Sequence, residues 1–154
     1  LQSGLEAARP VGGRLEEHTR GAVTIIDDTY NAGPEAVLAA LDYLSERTGE
    51  RVMIFADMGE LGEAAAALHA EVGERAKISV DKLWCLGDLS LHAAKAAGSN
   101  GRHFKTREAL LEAALALVRE RLGKTRALTV LVKGSHAMHM GEIAGALARA
   151  LTDA

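Results

Sequence analysis

Cysteine is almost missing from this chain: Cys85 is the single one. A disulfide framework is therefore excluded, which fits a reducing, cytoplasmic setting. Cys85 sits in the apolar run Leu83-Trp84-Cys85-Leu86, where a lone thiol is more often a small buried hydrophobe than a nucleophile. Aromatic residues are equally scarce. Trp84, Tyr30, Tyr43, Phe55 and Phe104 are too few and too dispersed to form the stacking platform of a single-strand binder. Charge of one sign is lacking too: 18 basic and 21 acidic residues, net −3, are scattered along the chain, which argues against nucleic acid as a partner. No apolar run approaches the roughly 20 residues of a spanning helix, so no membrane insertion is expected. The stretch from Leu1 to Pro10 carries Glu6 and Arg9 without an apolar core and is no signal peptide. A chain that opens on Leu1 rather than Met reads as a fragment of something longer.

What is present suits one compact domain. A chain of 154 residues, 48% of them hydrophobic, should bury roughly 70% of the surface its unfolded form exposes. Short runs rich in β-branched residues alternate with longer runs of helical period, the signal of a mainly parallel sheet covered by helices. The strands predicted are 22–27, 51–56, 82–86 and 128–133, each nearly continuous in apolar character, as strands buried on both faces are. Weaker edge strands are expected at 14–19 and 102–105. Val37, Leu38, Leu41 and Leu44 mark one helix face, and Leu61, Ala65, Leu68, Val72 and Ala76 a second. Leu110, Leu111, Ala114, Leu117 and Val118 mark a third, and Met140, Ile143, Ala144, Leu147 and Leu151 a fourth. Pro34 suits the first turn of its helix, Thr106 an N-cap, and Gly49 and Gly123 helix stops. The expected fold is a three-layer, Rossmann-like α/β domain of about six strands with helices on both faces.

In such a sheet ligands bind outside the carboxyl ends of the strands, which selects three loops. Asp27 and Asp28 end the first strong strand; paired carboxylates there could accept ribose hydroxyls or help hold a metal, or one could simply make an Asx turn. The segment from Asp57 to Gly62 stands where a dinucleotide fold carries its glycine fingerprint, but it is acidic and would repel pyrophosphate. Asp57 and Glu60 suit an ammonium group or a substrate amide, with helix capping as the plain alternative. Lys133-Gly134-Ser135 offers a point charge beside a glycine that lets backbone approach a ligand, or an ordinary turn. His136 and His139 lack a third ligand of fixed spacing, so no structural zinc is expected. Gly123-Lys124-Thr125 imitates the end of a phosphate-binding loop, but the motif would need glycine at Val118, a strand before it and a helix after it. It is expected to be a helix stop.

Taken in order, Gly13-Arg14-Leu15-Glu16, Asp27-Asp28-Thr29-Tyr30-Asn31-Ala32 with Pro34, Asp57-Met58-Gly59-Glu60-Leu61-Gly62, His69 with Val72-Gly73, and Lys133-Gly134-Ser135 resemble the carboxy-terminal domain of the Mur ligase family. The resemblance spans nearly the whole chain. It implies residues 1–13 as a hinge from a central domain and residues 14–154 as the domain itself, in an enzyme expected to be a monomer. It further implies the ATP- and Mg2+-dependent addition of D-alanyl-D-alanine to UDP-N-acetylmuramoyl-tripeptide through an acyl phosphate. The amino-terminal domain would hold the UDP-sugar, and the central domain would carry the phosphate loop and metal. The isolated domain would be inactive.

Carried over by the same resemblance, Arg14 would reach the nucleotide phosphates, Asp28 would accept ribose hydroxyls, and Asn31 would contact the nucleotide side of the cleft. Asp57, Glu60, Lys133, Ser135 and His136 would line the dipeptide pocket. Gly33, Ala56 and His136 stand where the family more often has asparagine, glycine and arginine, and an imidazole cannot fork onto a carboxylate as guanidinium does. Other readings of the same architecture are a different ATP-dependent amide ligase, such as a folate polyglutamating enzyme, and a free-standing ligand-binding module. A nicotinamide oxidoreductase is disfavoured, because G-x-G-x-x-G is absent.

Overall fold

Strand β1 (Glu16–Arg20) turns at Gly21 into β2 (Val23–Asp27), and the two pair antiparallel at one edge of the sheet. The chain continues through α1 (Pro34–Ser45), β3 (Glu50–Ala56), α2 (Ala65–Ser79), β4 (Lys82–Leu86), α3 (Ser90–Ala96), β5 (Gly101–Phe104), α4 (Arg107–Arg121), β6 (Leu128–Lys133) and α5 (Gly141–Asp153). This computed structural model describes residues 15–30 and 32–153; Arg14, Asn31 and the expected hinge lie outside them. The six strands run in the order β1-β2-β6-β3-β4-β5, parallel from β2 to β5.

Alternation along each strand builds two cores, because successive side chains point to opposite faces. Val23 and Ile25, Val52 and Ile54, Trp84 and Leu86, and Val130 and Val132 meet α4 and α5 on one face. Ile26, Met53, Phe55, Leu83, Cys85 and Leu131 meet α1, α2 and α3 on the other. Strands β2, β3, β4 and β6 carry apolar residues on both faces, which is why they read as continuous runs. The lone thiol of Cys85 is buried in the second core, and that burial pushes it well above the usual thiol range, with Asp57 adding to the shift.

Several expectations of the sequence hold in detail. Pro34 opens α1, and Thr106 Oγ1 accepts the Ala109 N–H at 3.0 Å. Gly123 follows α4 at φ +84°, so the Gly123-Lys124-Thr125 segment leaves a helix and leads to a strand. Four corrections also emerge. The first edge strand is Glu16–Arg20 rather than 14–19, and the far edge strand is Gly101–Phe104 rather than 102–105. The second helix starts at Ala65, because Gly62–Ala64 forms a separate 3₁₀ turn. Helix α3 was not expected at all; its seven residues are too few to show a helical period.

Candidate functional site

Strands β2, β3 and β6 are neighbours and parallel, so the loops leaving their carboxyl ends converge. The Asp28 N–H donates to Val132 O at 3.1 Å, which carries the β2–β6 pairing one residue past the strand. The two carboxylates therefore part company. Asp27 Oδ1 accepts from Thr29 N at 3.2 Å and from Thr29 Oγ1 at 2.6 Å, the Asx turn foreseen as the plain alternative. It borders a depression shared with Thr29, Tyr30, His136 and His139.

Asp28 turns to the other side, into a groove of about 540 Å³ with Leu15, Tyr30, Ala36, Ala39, Ala40, Tyr43 and Lys133. Lys133, only 3% exposed, donates to Asp28 Oδ2 at 3.0 Å. Burial lifts the Asp28 carboxyl above its ordinary value, against the opposing charge and hydrogen bond of Lys133. Small alanines and two tyrosines make the groove apolar around one carboxylate, a shape suited to a flat heterocycle with a hydroxylated sugar. The last residue of β6 points to the α1 side with Leu131, so the Lys133 amine, expected from the sequence around the dipeptide, stands beside Asp28.

Asp57 follows β3. Its Oδ1 accepts from Ser90 N at 2.8 Å and its Oδ2 from Leu89 N at 3.2 Å, so the carboxylate caps α3, the plain alternative offered by the sequence. Gly87, at φ +110°, makes this possible: a Cβ there would lie 2.4 Å from Asp57 Oδ1. The Asp57 carbonyl accepts from Ser135 N at 3.2 Å, which ties the β3 loop to the β6 loop. One residue on, Met58 N donates to His69 Nε2 at 3.0 Å, while His69 Nδ1 bonds to Ala65 O at 2.7 Å. His69 is fully buried. A backbone N–H can only donate, so Nε2 is the accepting nitrogen and Nδ1 carries the proton.

Glu60, Ser135 and His136 do come together. They line one depression of about 380 Å³ whose other walls are Ala32, Gly33, Gly59 and Ala137. Glu60 holds a left-handed backbone, φ +59°, which costs a non-glycine residue about 1–2 kcal/mol; such conformations gather at ligand sites. The depression is thus small-walled, with a carboxylate and an imidazole on its rim and a hydroxyl beside them. His136 also borders the Asp27 depression.

The sequence reading missed Arg107. Its guanidinium, reaching from the start of α4, donates to Met138 O and, at 3.2 Å, to His139 O, clamping the 3₁₀ turn His136–Met138 that carries His136. Nothing in its own neighbourhood of sequence announces that role, since the partner carbonyls lie about thirty residues on. The His136 and His139 rings are 6.3 Å apart. Among the described residues, no group of three or more His, Cys, Asp or Glu could hold a metal ion, and no helix is long and apolar enough to cross a membrane.

The architecture is a mainly parallel α/β sheet with helices on both faces, whose strand-end loops frame neighbouring depressions. The chain belongs to the Mur ligase family: the model for its "Mur ligase, glutamate ligase domain" matches residues 13–136. Over 149 residues the chain is 36% identical to UDP-N-acetylmuramoyl-tripeptide–D-alanyl-D-alanine ligase of Escherichia coli K12, a match covering 96% of this chain and 32% of that enzyme. Its fold is similar to that of MurF from Acinetobacter baumannii, with a TM-score of 0.81 and 28% identity over 92% of this chain and 32% of that one. It is also similar to the MurF ligase of Thermotoga maritima solved in complex with ADP, with a TM-score of 0.75 and 26% identity over 96% of this chain and 33% of that one. The chain thus spans about a third of the length of these relatives.

Proposed function

We propose that residues 14–154 are the carboxy-terminal domain, and residues 1–13 the hinge, of a cytoplasmic, monomeric ATP-dependent ligase that adds D-alanyl-D-alanine to UDP-N-acetylmuramoyl-tripeptide in peptidoglycan assembly. The observation that carries this reading is the depression framed by Glu60, Ser135 and His136. D-Alanyl-D-alanine is a short zwitterion with two methyl side chains. Walls of alanine and glycine suit the methyls, the Glu60 carboxylate suits the ammonium end, and the imidazole and hydroxyl suit the carboxylate end. The neighbouring groove, with Asp28 and its Lys133 partner, suits the adenosine part of ATP, with Arg14 and Asn31 assigned to the same nucleotide by the family likeness.

In this reading the chain moves no proton. It positions the amine against the activated tripeptide carboxylate and excludes water from the acyl phosphate, and both contributions lower the barrier. The phosphate loop and the Mg2+ site belong to the central domain, and the UDP-sugar to the amino-terminal one. The test is ADP release by the full-length protein given UDP-N-acetylmuramoyl-tripeptide with D-alanyl-D-alanine, D-alanine, L-glutamate or no acceptor, with this chain alone as control. Turnover with the dipeptide only, and none by the chain alone, is expected. Turnover with L-glutamate would point instead to a different amide ligase, and turnover by the chain alone would refute the division of labour.

A further inference from the structure

His69 lies outside both depressions, is fully buried, and still spends both ring nitrogens on hydrogen bonds. Any buried imidazole must satisfy both nitrogens; what sets this one apart is the partner it takes, a backbone N–H of the loop that carries Glu60. Its Nδ1 proton is anchored one turn back on Ala65 O, which fixes the ring, and its Nε2 lone pair takes the Met58 N–H, two residues before Glu60. The ring of Phe55 packs beside it, with centroids 5.8 Å apart. The Met58 side chain is itself buried, and the preceding residue is tied down twice, by the Asp57 carboxylate on α3 and by the Asp57 carbonyl on Ser135 N. The short path from Met58 to Glu60 therefore starts from a fixed point, and Glu60, in its left-handed conformation, lines the same depression as Ser135.

We infer that His69 is a positioning residue for acceptor binding: through Met58 it sets where the Glu60 carboxylate stands, without touching the substrate. This rests on the dipeptide reading of that depression. Removing the accepting nitrogen leaves a buried N–H without its partner, and the loop relaxes to find another. The effect should fall on the acceptor and not on the nucleotide, whose groove shares no lining residue with this depression.

The experiment uses the full-length ligase. His69→Asn keeps a donor at the Nδ1 position but removes the acceptor; His69→Gln places a carbonyl oxygen where Nε2 was. We expect H69N to raise KM for D-alanyl-D-alanine roughly tenfold, the scale set by losing one buried hydrogen bond, with KM for ATP and kcat changed less than about twofold. H69Q should restore the dipeptide KM to near wild type. Equal KM effects in the two variants would reduce His69 to packing and overturn the inference, as would an unchanged dipeptide KM in H69N. Amide hydrogen exchange at Met58, read in the same full-length proteins, is independent of turnover: protection in wild type and H69Q, lost in H69N, is expected. If the wild-type enzyme ignores the dipeptide, the proposed function fails while the exchange data still judge the latch. Should H69N not fold, a tenfold KM rise in H69Q, or an unprotected Met58 amide in wild type, would overturn the inference by itself.

Discussion

Lys133 Nζ lies 3.0 Å from Asp28 Oδ2, across 105 residues of sequence, with both side chains largely shielded from water. A buried ion pair of this kind returns in attraction little more than it costs in desolvation. The raised pKa of Asp28, with burial as its first cause, says the same. Single changes, Asp28→Leu or Lys133→Met, should each lower stability by about 3 kcal/mol, because each strands a charge in the groove. The double variant should recover most of that loss by chemical denaturation, yet still raise KM for ATP in the full-length enzyme. A double variant with unchanged nucleotide kinetics would remove the pair from the nucleotide site.

The same pair has a pH signature. A carboxyl whose folded value is raised holds its proton more tightly in the folded chain than in the unfolded one. Its contribution to stability is therefore largest below the unfolded value of 3.8 and declines as pH rises through the folded value. Glu50 behaves oppositely. Burial at 3% exposure works against its charge, but hydrogen bonds and charge from Lys82 and Arg121 outweigh it and lower the pKa. Its contribution is full above the unfolded value of 4.5 and is lost as pH falls through the folded value. Glu50→Gln should cost roughly 2 kcal/mol at neutral pH, between the values for exposed and buried pairs, and should flatten the acid limb of a stability–pH curve.

Gly87→Ala tests the cap on α3. The substitution adds a Cβ at φ +110°, 2.4 Å from the Asp57 carboxylate, so both the backbone and the cap suffer. A loss of about 2–4 kcal/mol is expected, whereas Gly123→Ala, also at positive φ but with open space around its Cβ, should cost only about 1 kcal/mol. Thermal unfolding of the two variants side by side separates backbone strain from lost capping.

These positions mark how far the sequence could be read. The central strands were legible because β2, β3, β4 and β6 bury both faces and leave continuous apolar runs. Asp28, Glu60, Ser135 and His136 were legible as site candidates because they follow such runs. The aim of a side chain was not. Asp57 and Lys133 follow such runs too, but Asp57 is held by α3, which is too short to show a period, and strand alternation sets Lys133 beside Asp28. Arg107 and His69 act on partners about thirty and eleven residues away, and no local pattern encodes that distance.

His136 offers the sharpest test of the proposed dipeptide site. It stands on the rim of a depression whose lining includes no lysine or arginine, and its turn is already clamped by Arg107. An imidazole presents one N–H toward a carboxylate, whereas a guanidinium presents two in a matched fork. In the full-length enzyme, His136→Arg should therefore lower KM for D-alanyl-D-alanine by roughly threefold to tenfold, the worth of one added charge-assisted hydrogen bond. His136→Ala should raise it by a similar factor, with KM for ATP unchanged in both. If Arg and Ala move the dipeptide KM in the same direction, His136 is shaping the turn rather than meeting the carboxylate.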